Sequence, residues 1–158
     1  MIIYDEDNKI GIIWDAQDRD CDKCSDFCFG SINFIINDII VPNYFVYNYT
    51  INVVFSNLKI SVEEAYRSNL ENEIDLPCIN LSHDLICNNE VVGLYSIELA
   101  DMEQGIAKDK DSGFLIWMGF YKDKEIIFYT SNFGQSIYNV ILPKGTLMKM
   151  IKLLPNLY

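Results

Sequence analysis

The chain has 158 residues, half of them apolar, and its 23 acidic residues against 12 basic ones leave a formal charge of −11. That apolar fraction excludes a disordered acidic tail, and a strongly negative folded body repels nucleic acid while drawing cationic partners toward it. No apolar run approaches the roughly 18 residues that span a bilayer, and Met1-Ile2-Ile3-Tyr4-Asp5-Glu6 lacks the basic start of a secretory signal, so a cytoplasmic protein with no membrane contact is expected.

In chain order, Ile2 to Trp14 reads as two short strands about the polar turn Asp5-Glu6-Asp7-Asn8, followed by an acidic loop from Asp15 to Asp26. Phe27 to Ile36 and Ile39 to Val41 form a hairpin around Asn37-Asp38, a dipeptide suited to a tight turn, and Pro42-Asn43 ends it. The alternation of Ile51, Val53 and Phe55 predicts a long strand from Tyr44 to Leu58. Ser61-Val62-Glu63-Glu64 then matches a capping box, with Val62, Ala65, Tyr66 and Leu70 at helical spacing, so a helix is expected from Val62 to Asn72.

After an irregular stretch come a strand from Glu90 to Leu99 and a charged loop from Asp101 to Ser112. A hairpin of Phe114–Tyr121 and Glu125–Ser131 about Lys122-Asp123-Lys124 follows, then a strand from Gln135 to Leu142 and a short helix from Leu147 to Leu154. Strands with one helix inserted and one appended predict an α+β fold: one domain over 1–158, a single mostly antiparallel twisted sheet packed by about two helices.

The chemistry-bearing residues fall short of a catalytic site. Asp18, Asp20, Asp22 and Asp26 echo the spacing of a calcium loop, but Lys23 stands where the sharp turn needs glycine and Phe29 where the bidentate glutamate belongs. Cys21-x-x-Cys24 is half of a zinc signature, and Cys28, Cys78, His83 and Cys87 supply no second close pair. Free thiols are therefore expected, with no metal or other cofactor. His83 would have to serve any Ser-His or Cys-His arrangement, and it lies in the polar loop Ser82-His83-Asp84. Glu98, Asp101 and Glu103 could pair as in glycoside cleavage, although carboxylates in an acidic protein meet readily without catalytic purpose. Tyr44, Phe45, Tyr47 and Tyr49 are too many for one core face, so some should reach the surface, where tyrosines make good interface anchors. A non-enzymatic binding protein is the expectation. A small metal-binding protein built on Cys21 and Cys24, or an adaptor for another cytosolic protein, is the alternative.

Two stretches carry a family resemblance. The first is Phe29-Gly30-Ser31-Ile32-Asn33-Phe34-Ile35-Ile36-Asn37-Asp38-Ile39-Ile40-Val41-Pro42, a glycine ahead of an aromatic-bearing strand and an asparagine-led turn. The second runs from Phe114 to Leu154, through Asn132-Phe133-Gly134 and Leu142-Pro143-Lys144-Gly145-Thr146 to the last helix. Together they resemble the immunity proteins of bacterial polymorphic-toxin systems, most closely the immunity protein 42 family. Glu125-Ile126-Ile127 departs from the resemblance, standing where a charged, arginine-bearing pair would be looked for after the turn.

The resemblance implies a cytosolic inhibitor that caps a toxin domain, as in contact-dependent growth inhibition, and it carries over no catalytic residue. Charge clustering adds candidate contacts to a basic, nuclease-type toxin: Asp15, Asp18, Asp20, Asp22 and Asp26, with Glu98, Asp101 and Glu103 as a second patch.

Overall fold

In strand β2 (Ile10–Ala16), Ile10, Ile12 and Trp14 alternate onto one face and are buried, opposite Ile36, Phe34 and Ile32 of β3 (Phe29–Ile36). Strand β1 (Ile2–Asp5) pairs on the other side of β2, and β4 (Ile39–Val41) returns along β3 through Asn37 and Asp38. Both turn residues have left-handed φ angles, 53° and 64°. That is the mirror-image turn whose twist suits a two-residue hairpin. These elements belong to a computed structural model in which residues 1–16, 27–68, 91–104 and 112–156 are described.

Beyond Val41 the chain leaves the edge of β3 and rejoins it as the two-residue strand β5 (Tyr49–Thr50). Buried Asn33 holds this excursion in place: its Nδ2 donates to the carbonyls of Pro42 at 2.9 Å and Tyr44 at 3.1 Å. Asn33→Ala removes the donor for both carbonyls, so it is expected to cost about 1–3 kcal/mol in chemical denaturation. Gly30 is obligatory where β2, β3 and β5 meet, because a Cβ there would stand 2.0 Å from the Asp15 carbonyl oxygen.

The long strand expected over 44–58 is corrected by the structure: helix α1 runs from Ile51 to Ser68. Its buried residues Ile51, Val54, Phe55, Leu58, Val62 and Ala65 recur every three or four positions. The period-two pattern of Ile51, Val53 and Phe55 was a short coincidence within that stripe, as Val53 is only half-buried. The supposed cap, Ser61, lies in mid-helix, where its Oγ donates to the Asn57 carbonyl at 2.7 Å and accepts the Glu98 amide at 3.2 Å.

The second half builds a separate antiparallel sheet, so there are two sheets where one was expected. Its order is β6 (Tyr95–Ile97), β7 (Leu115–Tyr121), β8 (Lys124–Thr130) and β9 (Tyr138–Pro143). A 3-10 helix, Ala100–Gln104, lies between β6 and β7, and helix α2 (Thr146–Leu153) closes the described chain. The inner faces of both sheets share one core: Ile10, Phe34 and Ile36 meet Ile97, Ile116 and Ile127 with Leu58 of α1 and Leu147 of α2 between them. The rings of Phe34 and Phe114, 5.3 Å apart, join the halves.

An acid sits inside this core. Glu125 lies on the inner face of β8, fully buried, opposite Phe120 and Leu142. Its Oε1 accepts the Leu147 amide at 2.7 Å, and its Oε2 accepts the Gly145 amide at 2.7 Å and the Tyr66 hydroxyl. Helix α2 has no acidic residue in its own first turn and no side-chain cap, so Glu125 performs both tasks from a neighbouring strand. At the other end of α2, Lys59 donates to the carbonyls of Leu154 at 3.0 Å and Pro155 at 3.3 Å, placing a cation at the negative pole.

Candidate interaction surface

The carboxylates singled out in the sequence divide by what they touch. Asp15 is exposed on the outer face of β2, opposite Ser31. Glu98 is also exposed, and among the described residues its backbone alone is engaged, through the bond to Ser61. Asp101 is half-buried: its Oδ2 accepts the Thr50 amide at 2.9 Å and the Thr50 hydroxyl at 3.1 Å. Thr50 immediately precedes α1, whose first turn has no acid of its own, so Asp101 supplies the negative charge that end favours. Glu103 Oε1 accepts the Leu99 amide at 2.6 Å and thereby closes the start of the 3-10 helix. Asp18, Asp20, Asp22 and Asp26 lie outside the described residues.

The fold brings Asp15, the described member of the first patch, to the same acidic end as Asp101 of the second. Ala16 of β2 aligns with Gly30 of β3, and Gly30 with Tyr49 of β5; Asp101 bonds to the next residue, Thr50. The segment from Tyr95 to Asp101 runs beside α1 from its C-terminal end toward its N-terminal end. Tyr95 donates to the Ser68 carbonyl, the Glu98 amide to Ser61, and Asp101 bonds to Thr50. Lys122, Lys124 and Lys144 cluster at the opposite end of the second sheet, around the β7–β8 turn.

The aromatic residues sort as the sequence implied. Tyr49 is buried, Tyr44 is half-buried, and Phe45 and Tyr47 are exposed. Burial, followed by the neighbouring Tyr44 and Asp101, pushes the Tyr49 phenol above its ordinary range. An exposed aromatic pair also emerges, Phe27 with Phe29, ring centres 6.4 Å apart near the acidic end. Sequence reasoning placed both in a strand and left their exposure unread.

Cys28 is buried and disulfide-bonded, against the expectation of free thiols. Which sulfurs pair is decided by where the fold brings them, and spacing along the chain is silent on that. Cys21, Cys24, Cys78, Cys87 and His83 lie outside the described residues. Among the described residues no group of three or more His, Cys, Asp or Glu side chains could hold a metal ion, and no helix is long and apolar enough to cross a membrane.

A family model described as Immunity protein 42 matches residues 1–157. The chain belongs to the immunity protein 42 family. The crystal structure of CdiI from Burkholderia dolosa has a similar fold, with a TM-score of 0.59 over 96% of each chain at 17% sequence identity. Among curated proteins none matches the chain significantly. At that identity the Burkholderia protein shares architecture with this immunity protein 42 chain, and the surface residues described above are this chain's own.

Proposed function

We propose that this chain binds the toxin domain of its own bacterial system and neutralises it by covering the toxin's active surface. The observation that carries the reading is the family match across residues 1–157. The full-length similarity to CdiI, a protein of contact-dependent growth inhibition, supports the fold on which that role would rest. Inhibition by occlusion needs no catalytic group, which fits carboxylates that serve the backbone or the surface.

The formal charge of −11 extends the proposal to the kind of toxin. A nuclease active surface is basic because it holds phosphate backbones, and an inhibitor presenting carboxylates is drawn to it. The contacts on this reading are Asp15, Asp18, Asp20, Asp22 and Asp26, with Glu98, Asp101 and Glu103 as a second patch. The encounter takes place in the cytoplasm, where a nuclease finds its substrate.

Co-expression with the C-terminal domain of the protein encoded immediately upstream tests the role. The expected result is loss of growth with that domain alone, rescue by this chain, and co-elution of the two on a sizing column. Toxicity that this chain does not relieve would refute the pairing.

A further inference from the structure

This inference rests on the immunity reading and names the element that the toxin engages. Among the described residues strand β9 is an edge, with β8 on one side and no strand on the other. The two-residue turn Lys122-Asp123 closes on the pair Tyr121–Lys124, so alternate residues of β8 from Lys124 onward bond to β7. Glu125, Ile127 and Tyr129 then bond to their β9 partners Leu142, Val140 and Tyr138. The Lys144 amide continues the alternation by donating to the Asp123 carbonyl at 2.9 Å. The amides and carbonyls of Asn139 and Ile141 consequently point away from the sheet, and among the described residues no hydrogen bond engages them.

Edges of this kind are usually blunted by charge, proline or a bulge. Residues Tyr138-Asn139-Val140-Ile141-Leu142 carry no charge, proline comes only at Pro143, and the ladder to β8 is unbroken. Ile141 is 58% exposed.

A second feature adjoins the start of the strand. A cleft of about 590 Å³ opens between Ile39 and Ile40 of β4 and Tyr129 and Tyr138 of the second sheet. Ile39 is 60% exposed and Tyr138 57%. The cleft lies at the end of the sheet that carries Glu98, Asp101 and Glu103, away from the lysines of the β7–β8 turn. A second copy of the chain would bring another −11 to this surface and be repelled, whereas a cationic partner is attracted.

We propose that the toxin lays an extended segment along β9 as a fifth strand of the second sheet, seats an apolar side chain in the cleft, and sets its basic flank toward the acidic end. Backbone bonds to Asn139 and Ile141 would supply affinity, and the cleft would supply selectivity.

Ile141→Pro tests the assignment, because it removes an amide that faces outward and leaves the bonds to β8 in place. Thermal stability is expected to stay within a few degrees of wild type, while affinity for the upstream-encoded toxin domain falls roughly 100-fold. Hydrogen exchange on the wild-type complex reads the same contact without substitution: the amides of Asn139 and Ile141 should slow on binding. Tight binding by a folded Ile141→Pro protein, or unprotected amides in the complex, would overturn the assignment while leaving the immunity role standing. A free protein that light scattering finds dimeric, and that Ile141→Pro makes monomeric, would give the edge to a second copy and refute the proposal. Wild-type protein that does not bind the toxin at all would fail the immunity reading itself, and the edge assignment with it.

Discussion

Replacing Glu125 with alanine is expected to cost about 3 kcal/mol or more of folding stability, read as a fall of roughly 10 °C in Tm. The carboxylate accepts the amides of Gly145 and Leu147 and the hydroxyl of Tyr66 while fully buried. Alanine would deprive the Leu147 amide and the Tyr66 hydroxyl of their acceptor in the interior, uncap α2 and open a space between β8, α1 and α2. Glu125→Gln should be milder, because its Oε1 still accepts the Leu147 amide and its Nε2 can donate to Tyr66, whose hydroxyl already receives the Gly145 amide at 2.9 Å. Chemical denaturation of the two variants beside wild type checks the ranking. Equal losses would mean that the volume of the side chain matters and its acceptor oxygens do not.

The same residue predicts a pH dependence. Burial holds the Glu125 carboxyl above its ordinary value of 4.5, although the donors around it and nearby Lys144 pull the other way. A raised native pKa means that the folded protein keeps its proton at pH values where the unfolded chain has lost it. Stability from this group is therefore greatest below pH 4.5 and declines as pH rises through the native pKa. The stability difference between wild type and Glu125→Gln should shrink over that range, measured by urea denaturation at stepped pH. A difference that grows with pH would show that the hydrogen bonds outweigh burial.

The legible parts of this fold were those whose local chemistry has a single solution. Asn37-Asp38 accepts left-handed backbone at a tight turn, with φ of 53° and 64°, and its hairpin lies where those residues placed it. The hairpin expected around Lys122-Asp123-Lys124 also forms, with its turn at Lys122-Asp123 and Lys124 already in β8. Helix α2, with Leu147, Met150 and Ile151 on one side and Lys149 and Lys152 on the other, was equally plain. Helix α1 was misread because Ile51, Val53 and Val54 are β-branched and favour strands in isolation; packing of a full helical stripe against both sheets overrode them. The division into two sheets was not legible, since nothing in the order of strands says that β5 and β6, on either side of α1, share no ladder.

The candidate surface was legible as charge and illegible as geometry. Acidic clusters could be counted, but the bonds that occupy Asp101, to Thr50 far along the chain, and Glu103, to the nearby Leu99 amide, could not. One signal was available and unused: Glu125 shares parity with Ile127 and Tyr129 along β8, which puts an acid on the inner face of a central strand. The departure from the family resemblance at Glu125-Ile126-Ile127 is thus the site of a capping carboxylate.

Reversing the two exposed acids is expected to act on association and to spare the fold. Asp15→Lys with Glu98→Lys shifts the formal charge from −11 to −7, two units for each residue. Neither carboxylate takes part in a hydrogen bond among the described residues, and both are exposed. The double variant should capture the toxin about tenfold more slowly at low salt, with dissociation little changed and the rates converging at high salt, where the field is screened. Asp101→Ala should behave in the opposite way. It strips Thr50 of the acceptor for its amide and hydroxyl at the start of α1, so about 1–3 kcal/mol of stability is lost and the association rate of the folded fraction changes less. Stopped-flow association at two ionic strengths, paired with denaturation of each variant, separates the two effects. If Asp15 and Glu98 can be reversed without slowing capture, the acidic end does not steer the toxin, and the −11 charge serves solubility instead. If Asp101→Ala slows capture as much as the double reversal while keeping full stability, its carboxylate faces the partner and the bond to Thr50 is incidental.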